Sequence, residues 1–299
     1  MSKLRGRAGG SESLHGSCLL VSAMRLLVCA LFAALLPGSV QSKIVGEIPF
    51  RFHDGLIWLK VKIVGQDEPL NFLLDTGAGV SALDLQRARN LDLNLGQPQT
   101  VQGVNGECVG YRVNDLQASS AGVDLPRSVL AIDLGVLSSC CHQCVDGILG
   151  ADFFRDRVVQ IDFIAGKVRL LKDCDMDLAN CEILPIKMCN DAFCVPLRVA
   201  GNRPEWIRLD TGCDAALEWV ASGSGKKRVE PTSIGLSRSA SQCVRTSVQI
   251  GKQHVAVPAV IHEKRIFPGE GGLLGNGLLA KFRLTIDAPG NRVIFEDRK

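Results

Sequence analysis

The chain carries one passage twice, in the same order, and such a duplication restricts the fold to two similar units packed together. The first copy starts with an apolar stretch from Gly55 to Gly65 and turns through polar residues. It returns through Asn71, Phe72, Leu73 and Leu74 into Asp75-Thr76-Gly77-Ala78-Gly79. The second starts at Ala192, turns at Gly201, and returns through Trp206, Ile207, Arg208 and Leu209 into Asp210-Thr211-Gly212-Cys213-Asp214. Partly alternating aliphatic runs that meet at a Gly-led polar turn predict β-hairpins. Further on, Ile148-Leu149-Gly150 is matched by Leu273-Leu274-Gly275, and a hairpin pattern over 157–171 by one over 282–295. The copies are offset by 135 residues at Asp75/Asp210 and by 125 at Gly150/Gly275, so the second is the more compact between its motifs. The expectation is an all-β chain of two lobes, 43–178 and 179–299, divided in the Asp-rich stretch near Cys174 and Cys181. Short helices are expected at 83–91, 151–155 and 276–281.

Residues 1–42 read as a leader outside the folded part. Arg25 precedes an apolar run from Leu26 to Leu36, Pro37-Gly38 break it, and Val40-Gln41-Ser42 offers a cleavage site after Ser42. That is the order of a secretory signal peptide. As a helix the run spans about 17 Å, well short of a hydrocarbon core of about 30 Å, so a membrane anchor fits less well. Met24 is an alternative start to Met1. The full chain has 34 basic and 31 acidic residues. The leader takes four of the former and one of the latter, which leaves 30 of each. Its loss also leaves ten of the 12 Cys, an even number that in an exported protein reads as disulfides. A balanced charge with no clustered basic stripe argues against a nucleic-acid partner.

The two Asp-Thr-Gly motifs carry the chemistry. Two carboxyls within hydrogen-bonding distance cannot both ionise cheaply, so they share a proton. The ionised one can deprotonate a water, while the protonated one polarises a carbonyl and later protonates the leaving amine. Thr can brace one loop against its partner. Gly leaves room for the carboxyls to converge.

With these motifs the chain resembles the aspartic peptidases of the retroviral-protease and pepsin kind. The matching residues are Leu74 to Ala78 with Ile148-Leu149-Gly150, and Leu209 to Cys213 with Leu273-Leu274-Gly275. The resemblance spans most of residues 50–299 and is strongest toward exported bacterial aspartyl proteases. It implies a two-lobed acid-protease fold of tandem retropepsin-like β-barrel lobes, a fused form of the retroviral dimer. It implies Asp75 and Asp210 as catalytic residues, with Thr76, Gly77, Thr211 and Gly212 supporting them and Gly150 and Gly275 packing in the ψ-shaped loops. The implied activity is peptide-bond hydrolysis on a peptide or protein substrate, without cofactor or metal. The implied setting is periplasmic or secreted, as a monomer with no membrane anchor after cleavage. The alternative is a non-catalytic protein that keeps the fold to bind peptides or inhibit proteases. Gly79 and Asp214 differ between the lobes, so an asymmetric cleft is expected.

No clear pepsin-type flap motif is present. The flap candidates are 101–111, with Gly106 and Tyr111, and a shorter segment around 237–247. Tyr111 reads either as a flap residue over the dyad or as an ordinary strand aromatic. Cys140-Cys141-His142-Gln143-Cys144 invites a metal reading, but no second cluster has ligand spacing. Candidate disulfides are Cys189 with Cys194, Cys174 with Cys181, and Cys213 with Cys243. A cysteine-protease reading of Cys213 lacks a credible His partner. Trp58, Trp206 and Trp219 are expected in the lobe cores. A shared-proton dyad favours acid to neutral pH.

Overall fold

The computed structural model describes residues 42–103, 106–175, 178–220 and 242–298. The leader expected over 1–42 lies outside the described residues apart from Ser42. In the first lobe the strands are β1 (Ile44–His53), β2 (Leu56–Ile63), β3 (Leu70–Leu74), β4 (Ala82–Asp84), β5 (Pro98–Gly103), β6 (Gly106–Val113), β7 (Ala118–Ser120), β8 (Val123–Asp124), β9 (Val129–Ile132), β10 (Gly147–Leu149), β11 (Val158–Asp162) and β12 (Lys167–Leu171). In the second they are β13 (Cys181–Pro185), β14 (Lys187–Cys189), β15 (Ala192–Val199), β16 (Glu205–Leu209), β17 (Leu217–Val220), β18 (Gln242–Ile250), β19 (Gln253–His262), β20 (Gly272–Leu274), β21 (Phe282–Asp287) and β22 (Arg292–Asp297).

The expected hairpins form, as β2–β3, β15–β16, β11–β12 and β21–β22. Their turns contain residues at positive φ: Gly65, Ala200-Gly201, Gly166 and Asn291 in the same order. Strand β2 shows why the pattern works. Leu59, Val61 and Ile63 are buried while Lys60 and Lys62 are exposed, as a period of two requires. The helices expected at 83–91 and 276–281 form as α1 (Leu85–Asn90) and α3 (Asn276–Leu279), and the one at 151–155 is a single 3-10 turn at Ala151–Phe153. Asp84 starts α1 by accepting from the N–H groups of Gln86 and Arg87 at 3.0 and 3.1 Å. Helix α2 (Gly135–Cys140) was not expected. None of its residues is buried, so it lacks the apolar periodicity that would have marked it.

The lobes meet in a six-stranded antiparallel sheet, ordered β13-β22-β21-β11-β12-β1. Its central pair is β11 with β21, in register from Val158↔Asp287 to Ile161↔Leu284. Gln160 Nε2 donates to Thr285 Oγ1 there at 3.3 Å. Three strands from each copy flank this line, which is the symmetry of the duplication expressed in hydrogen bonds. Each lobe adds its own sheet, and one main apolar core runs through both, from Ile57 and Leu74 to Leu209 and Leu274. Trp219 joins that core, and Trp58 lies in a smaller cluster with Leu73 and Ile148. Trp206 is only half-buried, with the Lys187 ammonium 4.1 Å from its ring centroid. No described helix is long and apolar enough to cross a membrane.

Candidate active site

Each lobe delivers its Asp at the end of a strand held on both sides. β3 pairs with β10 in parallel, and β16 with β20 likewise. Asp75 N–H then donates to the Leu149 carbonyl at 2.9 Å, and Asp210 N–H to that of Leu274 at 3.0 Å. Gly150 and Gly275 follow those strands. A Cβ on Gly150 would meet the backbone of Ala78, Val80 and Ser81, and one on Gly275 the backbone of Cys213 and Ala215. Each glycine thus lies against the backbone that follows its own lobe's Asp-Thr-Gly.

The loops lock into each other. Thr76 Oγ1 donates to the Leu209 carbonyl and Thr211 Oγ1 to the Leu74 carbonyl, both at 2.8 Å. Each hydroxyl also accepts the other threonine's N–H, at 3.0 and 3.1 Å. Both threonines are fully buried. The turn of each leading hairpin touches the opposite loop. Gly55 abuts Asp214, and Asp191 abuts Gly79.

Asp75 and Asp210 are thereby brought within hydrogen-bonding reach of one another. Asp75 Oδ1 accepts from Gly77 N–H at 2.8 Å and Ala78 N–H at 3.0 Å, and Asp210 Oδ1 from Gly212 N–H at 2.9 Å. Gly77 faces Asp210 and Gly212 faces Asp75 so closely that a Cβ on either would overlap the opposing carboxyl. Asp210 is buried and Asp75 partly exposed. Burial pushes Asp210 well above the ordinary carboxylate range, and the charge of Asp75 and their hydrogen bond add to it. Burial also raises Asp75, while the hydrogen bonds from Asp210, Gly77 and Ala78 oppose it. One shared proton between unequal carboxyls is the state this geometry favours.

Several residues around the loops were not anticipated. Ser81 Oγ donates to Asp152 at 2.6 Å and accepts from Gly150 N–H at 3.0 Å, which braces the first loop. Its counterpart in the second lobe is Ala216. Asn276 instead donates to the carbonyls of Thr211 and Gly55, both at 2.7 Å, and so ties the second loop to the first lobe. Arg208 and Glu270 form a buried ion pair beneath the dyad. The one signal for Arg208 was a charge at an otherwise apolar position just before Asp-Thr-Gly. Such a residue needs a partner if buried, but nothing local says that the partner is Glu270.

The segment 101–111 forms the β5–β6 hairpin, with 104 and 105 outside the described residues and Gly106 beside the tip at φ +129°. Tyr111 sits at the opposite end of that hairpin, across from Pro98, and packs on the lobe core. Of its two readings, the strand aromatic is the one realised. Of the second flap candidate, 237–241 lies outside the described residues and the rest belongs to β18, paired with β19.

The expected Cys189–Cys194 and Cys213–Cys243 disulfides are not formed. The Cys189 and Cys194 thiols lie within hydrogen-bonding reach but are not joined. They sit diagonally across the β14–β15 hairpin, where Cys189 pairs with Ala192 and Cys194 with Lys187. Cys213 turns toward Glu218 Oε1 at 3.7 Å rather than to Cys243, and Cys174 lies against Asp287 and Arg292. In the 140–144 cluster burial pushes the Cys141 thiol up to about 11, whereas Cys140 and Cys144 are exposed. Among the described residues no group of three or more His, Cys, Asp or Glu could hold a metal ion.

Two lobes, each with a ψ-shaped loop bearing Asp-Thr-Gly and joined by a shared sheet, define the two-lobed acid-protease fold. Residues 59–153 match the family model for aspartyl proteases, so the first lobe carries the family's sequence pattern as well as its fold. Among solved structures the chain is similar to basic 7S globulin from soybean, with a TM-score of 0.55 over 86% of this chain and 95% of that one. At 10% identity that is a likeness of fold. No curated protein matches the sequence.

Proposed function

We propose that the protein is an aspartic endopeptidase with Asp75 and Asp210 as its catalytic dyad. A globulin shares the fold, so the fold alone does not carry this reading. What carries it is the intact pair of carboxyls, within hydrogen-bonding reach of each other and each accepting backbone N–H groups from its own loop.

In the proposed reaction a water bound between the carboxyls attacks the scissile carbonyl carbon. The ionised carboxyl takes one water proton as the protonated one gives its proton to the carbonyl oxygen. The tetrahedral diol then collapses. The C–N bond breaks as the carboxyl that took the water proton gives it to the nitrogen and one diol hydroxyl returns its proton to the other carboxyl, so an acid and an amine leave and the dyad again holds one proton. The locked threonines and the central sheet hold the two carboxyls in place through this cycle, as proximity effects require.

The leader over 1–42 supports an exported location, periplasmic or secreted, and a peptide or protein as substrate. Digestion of a broad peptide library across acid to neutral pH tests the activity. Asp75→Asn and Asp210→Asn should each abolish cleavage while leaving the fold intact by circular dichroism. Full activity in either variant would sink the proposal. Peptide binding without cleavage by the unaltered protein would favour the non-catalytic alternative.

A further inference from the structure

The two lobes differ on the outer face of the strands that precede each Asp. In the first lobe Leu73 and Ile148 are paired there and pack with Trp58, Leu130 and Val145. In the second lobe the same register places Arg208 opposite Leu273. Arg208 and Glu270 are nevertheless buried, with side chains 3% and 2% exposed. Arg208 Nε and Nη2 donate to the two Glu270 oxygens at 2.8 and 2.6 Å. Its guanidinium carbon lies 3.7 Å from the centroid of the Phe267 ring. Asn190 Nδ2 adds a bond to Glu270 at 2.7 Å. A buried ion pair is a weak source of stability, and the first lobe fills the equivalent place with apolar side chains.

The remaining corner of the guanidinium points at the loop that bears Asp75. Arg208 Nη1 donates to the Gly77 carbonyl in the opposite lobe at 2.6 Å. That oxygen and the Ala78 N–H are two ends of one planar peptide. The Ala78 N–H donates to Asp75 Oδ1 at 3.0 Å. Arg208 therefore grips the far end of a dipole whose near end points at Asp75. The second loop has no such arrangement. Leu73 has no donor to offer Gly212. Ala78 N–H and Cys213 N–H each bond the main-chain carbonyl of their own lobe's Asp, at 3.2 and 3.3 Å, but only Ala78 N–H also bonds the carboxyl.

We infer that Arg208 is a positioning residue that divides the roles of the dyad. Through the Gly77–Ala78 peptide it holds Asp75 as the ionised carboxyl that activates water and leaves Asp210 to carry the shared proton. The charged and titratable groups facing Arg208 are Glu270 before β20, Asp210 in the loop just after its own strand, Asp75 from the opposing loop, and the Cys194 thiol on β15. The Cys189 carbonyl accepts from Nη2 at 3.5 Å, and Arg265 reaches the Glu270 main-chain carbonyl rather than its side chain. Because Arg208 and Glu270 neutralise each other, the effect is short-ranged and runs through the peptide.

The inference rests on the proposed dyad chemistry, so its test uses one readout that does not need catalysis. The full chain, labelled with ¹³C at the Asp carboxyls, is titrated by NMR beside the Arg208→Met/Glu270→Met double variant. Removing both partners avoids an unpaired buried charge. The Asp75 midpoint should rise by about one pH unit, as expected when a cation's support is withdrawn. The acid limb of kcat/KM should move with it while KM stays constant. If the apolar pair does not fold, Arg208→Gln/Glu270→Gln keeps a polar pair but removes the guanidinium that grips the Gly77 carbonyl, and it should shift the midpoint in the same direction. An unchanged Asp75 midpoint in a folded variant overturns the role of Arg208. A shifted midpoint in a protein that cleaves no peptide supports that role and overturns the endopeptidase proposal instead.

Discussion

Thr76 and Thr211 stand 135 residues apart in the chain and make four hydrogen bonds between the lobes: each N–H donates to the other's hydroxyl, and the hydroxyls donate to the carbonyls of Leu209 and Leu74. All four partners are buried, so none can turn to water when the lock is broken. The lock makes the two Asp-Thr-Gly loops one rigid body.

Thr76→Ala or Thr211→Ala should therefore destabilise the protein by about 1–3 kcal/mol, the cost of leaving buried backbone groups unpaired. Thr→Ser at either position keeps the hydroxyl and should recover most of it. Urea unfolding of the four variants measures the difference, and equal midpoints for Ala and Ser would contradict the lock.

Gly77 and Gly212 have no room for a side chain. A Cβ at Gly77 would lie 2.6 and 2.7 Å from the Asp210 oxygens, and one at Gly212 equally near those of Asp75. Gly77→Ala should push the carboxyls apart and lower kcat by about 100-fold, the scale of a 1 Å misplacement. Steady-state kinetics on a cleaved peptide, with a melting curve to check the fold, decides this.

Asp210 titrates higher folded than unfolded. The folded state thus binds the proton more tightly, and the associated stability is complete below the unfolded value, near pH 4. It is lost as pH rises toward the folded value. Asp210→Asn removes that loss. The variant should melt higher than the unaltered protein at neutral pH, and the gap should shrink toward pH 3. Thermal melts at the two pH values test the sign.

Asp162 behaves in the opposite sense. Burial pushes it up, but the Ala165 N–H, Arg169 and Arg283 outweigh that and hold it below the usual range. It joins β11 to β12 and, through Arg283 of β21 at 3.2 Å, to the second lobe. Glu47 extends the network, lowered by its bond to Lys167 and then by Arg169. A lowered carboxylate lends stability above its unfolded value that disappears as pH falls through the folded one. Asp162→Asn should lower the melting temperature at pH 7 and flatten its decline below pH 4.

The residues that sequence reading found and those it missed differ in kind. Asp75, Asp210 and their flanking Thr and Gly were visible because each sits in a local pattern, an apolar strand ending in a short motif, and the pattern occurs twice. Tyr111 was ambiguous for the opposite reason. Its sequence neighbours specify a strand but not which end of the hairpin faces the cleft. The cysteines were paired by spacing in the chain, whereas the β14–β15 register sets Cys189 and Cys194 on a diagonal.

Local periodicity and the repeat were enough to specify an all-β chain of two lobes, its main hairpins, and two carboxyls with a reason to meet. They could do so because strand alternation, turn residues and a duplicated motif are short-range properties of a chain. The tertiary structure alone decided how unequal the two halves of the site are. Arg208 meets Glu270 across 62 residues and Gly77 across 131, while Asn276 reaches Gly55 across 221. Such partners are chosen by the packing of strands far apart in the chain. In the second lobe that packing seats a buried charge where the first lobe seats Leu73.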